Sequence, residues 1–306
     1  MDKPVVTVIC LTYNHAPYIR DALEGFVCQQ TSFPFEVLVH DDASTDGTAD
    51  IVRDYARRYP RLIKPIFQKE NQYSKGVKIV PTFCFPLVRG RYVALCEGDD
   101  CWTDPGKLQL QVDAMERHPE TDLCAHAVRV TLGGKPHGFM VPRIRDGIVP
   151  AKEVVKGVPL GTSSLLCRAD MYLQLTPMRD VCFNDMALHL QGASRGGVLY
   201  LHRCMSLYRE QTPGSWTAAN RGLRRLEVRD KERRMMEVFD TWSQGRFHPA
   251  VRWRLAKNEI GDLLTRHRFL SVLSPRRLPW TLSRLGRTLC RRFRILYCQL
   301  RWKKSL

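Results

Sequence analysis

Short, continuously apolar, β-branched runs alternate with stretches of helical periodicity through the first 130 residues, and this alternation limits the fold most. Val5 to Leu11 reads as a strand buried on both faces. A helix is expected from 17 to 30, with Pro17 in its first turn. Phe35 to His40 is the second strand. Ser44 to Thr48 supplies helix-start residues, and Ile51, Val52, Tyr55 and Tyr59 recur at helical spacing up to Pro60. Leu62 to Phe67 and Tyr92 to Cys96 are further strands. A helix over 105–118 carries Leu108, Val112 and Met115 on one side, and Leu123 to Leu132 returns as strand. Such alternation predicts an α/β chain with a mostly parallel open sheet and helices on both faces. Ligands of such sheets bind outside the carboxyl ends of the strands.

Three polar segments fall at those ends: Thr12-Tyr13-Asn14, Asp41-Asp42 and Glu97-Gly98-Asp99-Asp100. The last puts three carboxylates in four residues, in a chain of net charge +17. Carboxylates this close raise one another's pKa. A divalent cation relieves that cost, and hard oxygen ligands suit Mn²⁺ or Mg²⁺. A solvated turn with an Asp cap for the next helix is the simpler reading of the acidic segment alone. Convergence of three segments on one rim favours a binding site.

Beyond Gly133 the pattern loosens. Gly133 to Gly138 reads as a turn between strands, and Thr162 to Cys167 as a strand with a polar start. Asn184 to Leu190 opens a helix that ends near Arg195, then Val198–Leu201 and Cys204–Tyr208 return as strands. From Ala218 onward the chain reads as mostly helical. The 11 cysteines form no C-x-x-C pair and sit largely in apolar runs, as reduced core residues of a cytosolic protein do. The N-terminal segment has no leader-like pattern, and no apolar run reaches the roughly 18 residues of a membrane span.

Val8 to His15, Asp41 to Thr48 and Glu97-Gly98-Asp99-Asp100-Cys101-Trp102-Thr103-Asp104-Pro105 resemble glycosyltransferase family 2, over about residues 4 to 210. The resemblance implies a GT-A fold, Rossmann-like, and an inverting, metal-dependent transferase of one sugar from a nucleotide diphosphate sugar. It implies that Leu11, Thr12, Tyr13, Asn14, Asp42, Asn71 and Asp99 bind the donor nucleotide. Tyr13 would border a uracil whose imide N–H Asp42 accepts, with Asp41 orienting the loop. Asp100, Asp99 and Glu97 would hold Mn²⁺ or Mg²⁺, Glu97 standing for the first Asp of the family's DXD motif. Asp99 and Asp100 could exchange roles. Asp185 resembles the catalytic base, although a helix-start carboxylate favoured by the macrodipole would also be acidic. Thr162, Ser163 and Ser164 resemble the segment on the acceptor side. Lys75 shares its loop with Asn71. Gln211 stands where relatives often carry His, Trp216 and Arg209 could cap the donor or equally be packing and surface residues, and the Q-x-x-R-W signature of processive synthases is absent.

The implied organisation is a catalytic domain over 1–215, with a donor half (1–132) and an acceptor half (133–215), and a helical region over 216–306. After Asp262 come twelve Arg or Lys side chains and no acid. Within 276–304, Trp280, Leu285, Leu289, Phe293, Leu296 and Leu300 recur at helical spacing between arginines. Such a basic amphipathic segment suits an anionic membrane surface, and it equally suits packing on its own domain. The membrane reading places the enzyme in the cytoplasm, peripheral on the inner face of the membrane, with a saccharide or lipid-linked saccharide acceptor for cell-surface polysaccharide. A nucleic-acid-binding protein is the competing class, but no nucleic-acid module is present. A dehydrogenase lacks its G-x-G-x-x-G. A catalytically silent relative is the third alternative, from Glu97 and Gln211.

Overall fold

A computed structural model describes residues 3–142, 144–181, 185–212 and 224–265. Strand β1 (Val6–Thr12) lies between β2 (Phe35–Asp41) and β4 (Tyr92–Leu95), parallel to both. Beyond β2, β3 (Ile63–Phe67) continues the parallel half. Beyond β4 the sheet becomes mixed. Strand β9 (Leu166–Arg168) runs antiparallel to β4 and to β6 (Leu123–Leu132), and β6 runs parallel with β10 (Val198–Glu210). Strands β5 (Cys101–Trp102) and β8 (Gly147–Val149) pair antiparallel with β10, and β7 (Lys135–Met140) with β6.

Alternate residues of β1 enter two cores, which is why the strand is apolar throughout. Val6, Val8 and Cys10 pack with Leu23 of α1 (Ile19–Val27), Val52 of α2 (Thr48–Arg58) and Leu108 of α3 (Lys107–Arg117). Ile9 packs on the other face with Val154 of α4 (Ala151–Val155), Met171 of α5 (Ala169–Leu173) and Leu188 of α7 (Asp185–Ala193). A third core joins Met178 of α6 (Pro177–Val181) and Leu190 to the long helices α8 (Arg224–Trp242) and α9 (His248–Thr265), through Met235, Met236, Phe239 and Val251. Each such side chain contributes about 1.5–3 kcal/mol on burial. The late helices therefore rest on the same elements that carry Asp185.

The expected strands and helices of the first 132 residues form within a few residues of their predicted bounds. Three differences follow from tertiary context. Thr162–Ser164 is a 3₁₀ turn, and strand starts only at Leu166. The two late strands are one, because bulges around Cys204 absorb the polar interruption while pairing with β6 continues. Strand β5 is two residues long, too short for any pattern to reveal. All eight described cysteines are free thiols, six of them buried. No helix among the described residues is long and apolar enough to cross a membrane. The basic tail over 276–304 lies outside the described residues, as does Trp216.

Candidate active site

The ends of β1, β2 and β4 are stitched together by hydrogen bonds that prolong the sheet into its loops. The Asp42 and Gly98 amides donate to the Thr12 and Leu11 carbonyls at 3.0 and 2.8 Å. Asn14 adopts a left-handed φ of 54°, a conformation its short side chain tolerates. Its Oδ1 accepts the Thr45 amide at 2.8 Å, and its own amide reaches Ser44 Oγ at 2.9 Å. The His15 and Ala16 amides donate to Thr48 Oγ1 and Asp46 Oδ2 at 2.8 and 2.9 Å. Asp41 accepts both the hydroxyl and the amide of Ser44, at 2.6 and 3.1 Å, so it orients this loop.

Asp42 is buried, and its two carboxylate oxygens accept the Gln72 and Tyr73 amides at 2.8 and 3.0 Å. Asn71 donates to the Asp42 carbonyl at 3.3 Å and accepts the Ser74 amide at 2.7 Å. Both residues thus shape the loop that follows β3, and only the second lone pair of each Asp42 oxygen remains for a base edge. Lys75 pairs with Glu70 on the surface. Tyr13 is 44% exposed at the same rim.

Gly98 is dictated by close approach. A Cβ there would lie 2.8 Å from Thr12 Oγ1 and 3.0 Å from His15 Nδ1. Those two buried polar atoms have no hydrogen-bond partner. Asp99 Oδ2 accepts the Thr212 hydroxyl at 2.7 Å, and His15 Nε2 stands 4.0 Å from it. Asp100 Oδ1 accepts the Arg209 amide at 3.0 Å. The Arg209 guanidinium donates to the Asp99 carbonyl at 2.8 Å, pairs with Asp21 and lies over Tyr18. The chain leaving β10 therefore latches onto the acidic loop from behind. The sequence left Arg209 open between donor cap and packing residue, and gave no role to Thr212 or His15. No local signal in the sequence joined Arg209 to the acids, which lie more than a hundred positions away.

Asp99 and Asp100 are buried, and Glu97 is exposed. Burial pushes the Asp100 carboxyl well above its ordinary value, and repulsion from Asp99 and Glu97 adds to it. Although the Glu97 side chain reaches the surface, the protein packed around its carboxyl pushes it up to about 8, with Asp99 and then Asp185 adding repulsion. The acidic loop is thus short of positive charge. Among the described residues no three His, Cys, Asp or Glu side chains form a ready-made metal cage. What fits is an open site of one or two carboxylates, the kind Mg²⁺ or Mn²⁺ completes with ligand oxygens.

Asp185 opens α7 and is exposed. Its charge repels the Glu97 carboxylate, so Asp185 lies near the acidic loop. Thr162 Oγ1 is 3.5 Å from Asp185 Oδ2, a contact at the outer limit of a hydrogen bond. Ser163 and Ser164, expected on the acceptor side, are both fully buried. Ser163 Oγ bonds Ser206 Oγ at 3.1 Å, and Ser164 Oγ donates to the Gly161 carbonyl at 2.6 Å. Their carbonyls hold Trp102 Nε1 and Gln111 Nε2 at 3.0 and 2.8 Å. They brace the turn, and Thr162 alone of the three meets the cleft. Gln211 adopts a left-handed φ of 66° in the latch.

Residues 7–142, which carry all three rim segments, match the family model described as Glycosyl transferase family 2. Over these residues the chain carries a glycosyltransferase family 2 domain. An uncharacterized protein, Rv1520 of Mycobacterium tuberculosis, is 38% identical over 216 residues, 70% of this chain and 61% of its own length. TuaG of Bacillus subtilis, provisionally named a teichuronic acid biosynthesis glycosyltransferase, is 35% identical over 113 residues, 37% of this chain and 42% of that protein. The chain spans about three fifths of the length of the mycobacterial relatives it matches. Staphylococcus aureus TarS, solved as residues 1–349 with UDP-GlcNAc, superposes with a TM-score of 0.64 at 17% identity, over 92% of this chain and 79% of that one. The mannosyltransferase PcManGT of Pyrobaculum calidifontis, solved with GDP-Man and Mn²⁺, gives 0.52 at 18% identity, over 92% and 84%. At these identities the structures establish the GT-A fold alone. The family model ends before Asp185, so the acceptor side of this family 2 domain rests on its own geometry.

Proposed function

We propose that the protein is an inverting, divalent-metal-dependent glycosyltransferase that moves one sugar from a nucleotide diphosphate sugar to a saccharide or lipid-linked saccharide of a cell-surface polysaccharide. One observation carries the reading: an under-compensated acidic loop, Glu97 to Asp100, close enough to a separate exposed carboxylate, Asp185, for the two to repel each other. TuaG's name supports a surface polymer, and the UDP-GlcNAc of TarS and the GDP-Man and Mn²⁺ of PcManGT support the donor class and the metal.

Tyr13 borders the base, which we take to be uracil. The remaining lone pairs of Asp42 accept its imide N–H, a bond cytosine cannot donate. Leu11, Thr12, Asn14 and Asn71 shape the nucleotide wall. Asp99 serves the ribose or metal side, and Asp100 and Glu97 hold the cation. When bound, a divalent ion supplies Lewis-acid stabilisation of the departing diphosphate. Asp185 takes the proton of the acceptor hydroxyl as that oxygen bonds the anomeric carbon opposite the diphosphate. The bond from that carbon to the phosphate oxygen breaks, and its electron pair leaves with the nucleotide. Thr162 holds the Asp185 carboxylate at the cleft. The tail over 276–304 would keep the enzyme at the anionic inner face of a membrane, worth roughly 1 kcal/mol per nearby cation.

A panel of nucleotide sugars incubated with Mn²⁺ or Mg²⁺, read by release of nucleotide diphosphate, tests the reading. Release from a UDP-sugar, abolished by chelator, is expected. Indifference to every donor, in calorimetry as in release, would overturn it.

A further inference from the structure

A cavity of about 270 Å³ opens beside Asp185, between α4, α7, α8 and α9. Its polar lining is Asp185, His189, Glu232 and Arg254, and Val155, Val228 and Met236 give it apolar walls. His189 lies one turn beyond Asp185 on α7, so both side chains project to the same side. Two buried polar atoms on this lining have no partner, His189 Nε2 and Arg254 Nε. Native proteins pair nearly all buried polar groups, so orphans on a cavity wall point to a ligand.

The cavity is also built. Arg254 runs across Gly157, where a Cβ would fall 1.8 Å from its Nη1, and Gly157 has φ +94°. The guanidinium is steadied by Met186 Sδ at 3.6 Å and by Glu232 at 4.0 Å, and Asn258 holds Glu232 at 3.2 Å. Glu232 partly offsets its charge, while its Nε–H still needs an acceptor.

We propose that this cavity is the subsite for one sugar ring of the acceptor, resting on the reading of Asp185 as base. A hydroxyl both donates and accepts, which suits this wall. Asp185 and Glu232 accept, Arg254 Nε donates, and His189 Nε2 does either according to tautomer. Burial holds the His189 imidazole below its ordinary pKa, and Arg254 lowers it further against the opposing pull of Asp185, so the ring is neutral. A phosphate is disfavoured here, because two of the four polar side chains are carboxylates and the guanidinium is paired. The volume falls near the low end of ligand pockets, ~300 Å³, which suits one ring with polar groups fixing its orientation. Sequence reasoning missed His189, Glu232 and Arg254, because 65 residues separate His189 from Arg254 and no motif joins them.

The test uses the full chain with methyl glycosides of glucose, galactose, mannose, N-acetylglucosamine and rhamnose, read by saturation-transfer NMR at tens of millimolar. At least one glycoside should receive saturation, and its addition should shift the His189 imidazole signal, assigned by its loss in His189→Gln. Val228→Trp, which fills the cavity, should weaken that glycoside about tenfold or more, or ~1.4 kcal/mol. Thermal melting of each variant verifies folding. Should neither variant fold, the His189 signal is assigned by through-bond correlation in isotope-labelled wild type, and its shift alone decides. No saturation of any glycoside, saturation that leaves the His189 signal unmoved, or equal binding by a folded Val228→Trp would each overturn the proposal. Nucleotide-sugar binding by wild type is measured separately. Its failure counts against the proposed function, whereas its success with no glycoside response counts against the subsite alone.

Discussion

The donor rim and the acceptor side of this molecule treat their polar groups in opposite ways. Around β1, β2 and β4, Asn14, Asp41, Asp42, Ser44, Asp46 and Thr48 are all bonded to neighbouring loops at 3.1 Å or less. Around Asp185 the one contact across the turn is 3.5 Å long, and His189 and Arg254 hold unpaired atoms. The first region is largely preorganised, and apart from the unpaired Thr12 Oγ1 and His15 Nδ1 its deficit is positive charge. The second keeps unmet hydrogen-bond capacity. A site for a constant, charged ligand gains from rigidity, because fixed dipoles need no reorganisation when charge develops. A site for a variable, neutral ligand gains from groups that the ligand itself satisfies.

Four experiments sharpen or break that contrast. The largest effect is expected from Asp185→Asn, which should lower sugar transfer by ~10²–10⁴-fold while calorimetry finds donor binding unchanged. Full transfer by this variant would remove the base from the acceptor side. Asp100→Ala should weaken Mn²⁺-dependent donor binding by on the order of a hundredfold, measured by the same titration, since the ion's charge stabilisation is worth several kcal/mol. Gly98→Ala comes next. Its methyl group would enter the space of Thr12 and His15, so urea unfolding should show a loss of about 1–3 kcal/mol. An unchanged midpoint would mean that the donor rim is looser than its hydrogen bonds imply.

The smallest effect concerns pH. Between the ordinary glutamate value of 4.5 and about 8, the folded chain holds a proton on Glu97 that the unfolded chain releases. Stability without ligand should therefore fall as pH rises through that window. Glu97→Gln should flatten the fall by about 1 kcal/mol, a figure discounted because the side chain reaches solvent. Melting curves across this range, with and without Mn²⁺ and UDP-sugar, check it. The wild type should regain stability when both ligands are present. A flat wild-type profile would mean that the acidic loop is not short of positive charge.

Most of the donor half was legible in the sequence, because each of its elements is specified locally. Val6 to Thr12 is apolar enough to need cover on both faces, and the acids that follow β2 and β4 are contiguous in the chain. The acceptor half was less legible. Ser163 and Ser164 carry hydroxyls that look available in the sequence, and only packing against Ser206, Trp102 and Gln111 shows that they are buried. Asp42 reads as a free acid until the loop after β3 folds onto it.

By itself, the order of residues determined the alternating sheet, the rim where its loops gather and the family's three acidic or polar signatures. Those depend on periodicity and on neighbours a few positions apart, and chain order records both. Tertiary structure alone decided that Arg209 and Thr212 brace the acidic loop, that Asp185 comes near Glu97, and that α8 and α9 close a cavity over His189. These contacts join residues tens to more than a hundred positions apart. Such distant partners meet only when three cores bury their apolar surface together, and no local pattern specifies that event.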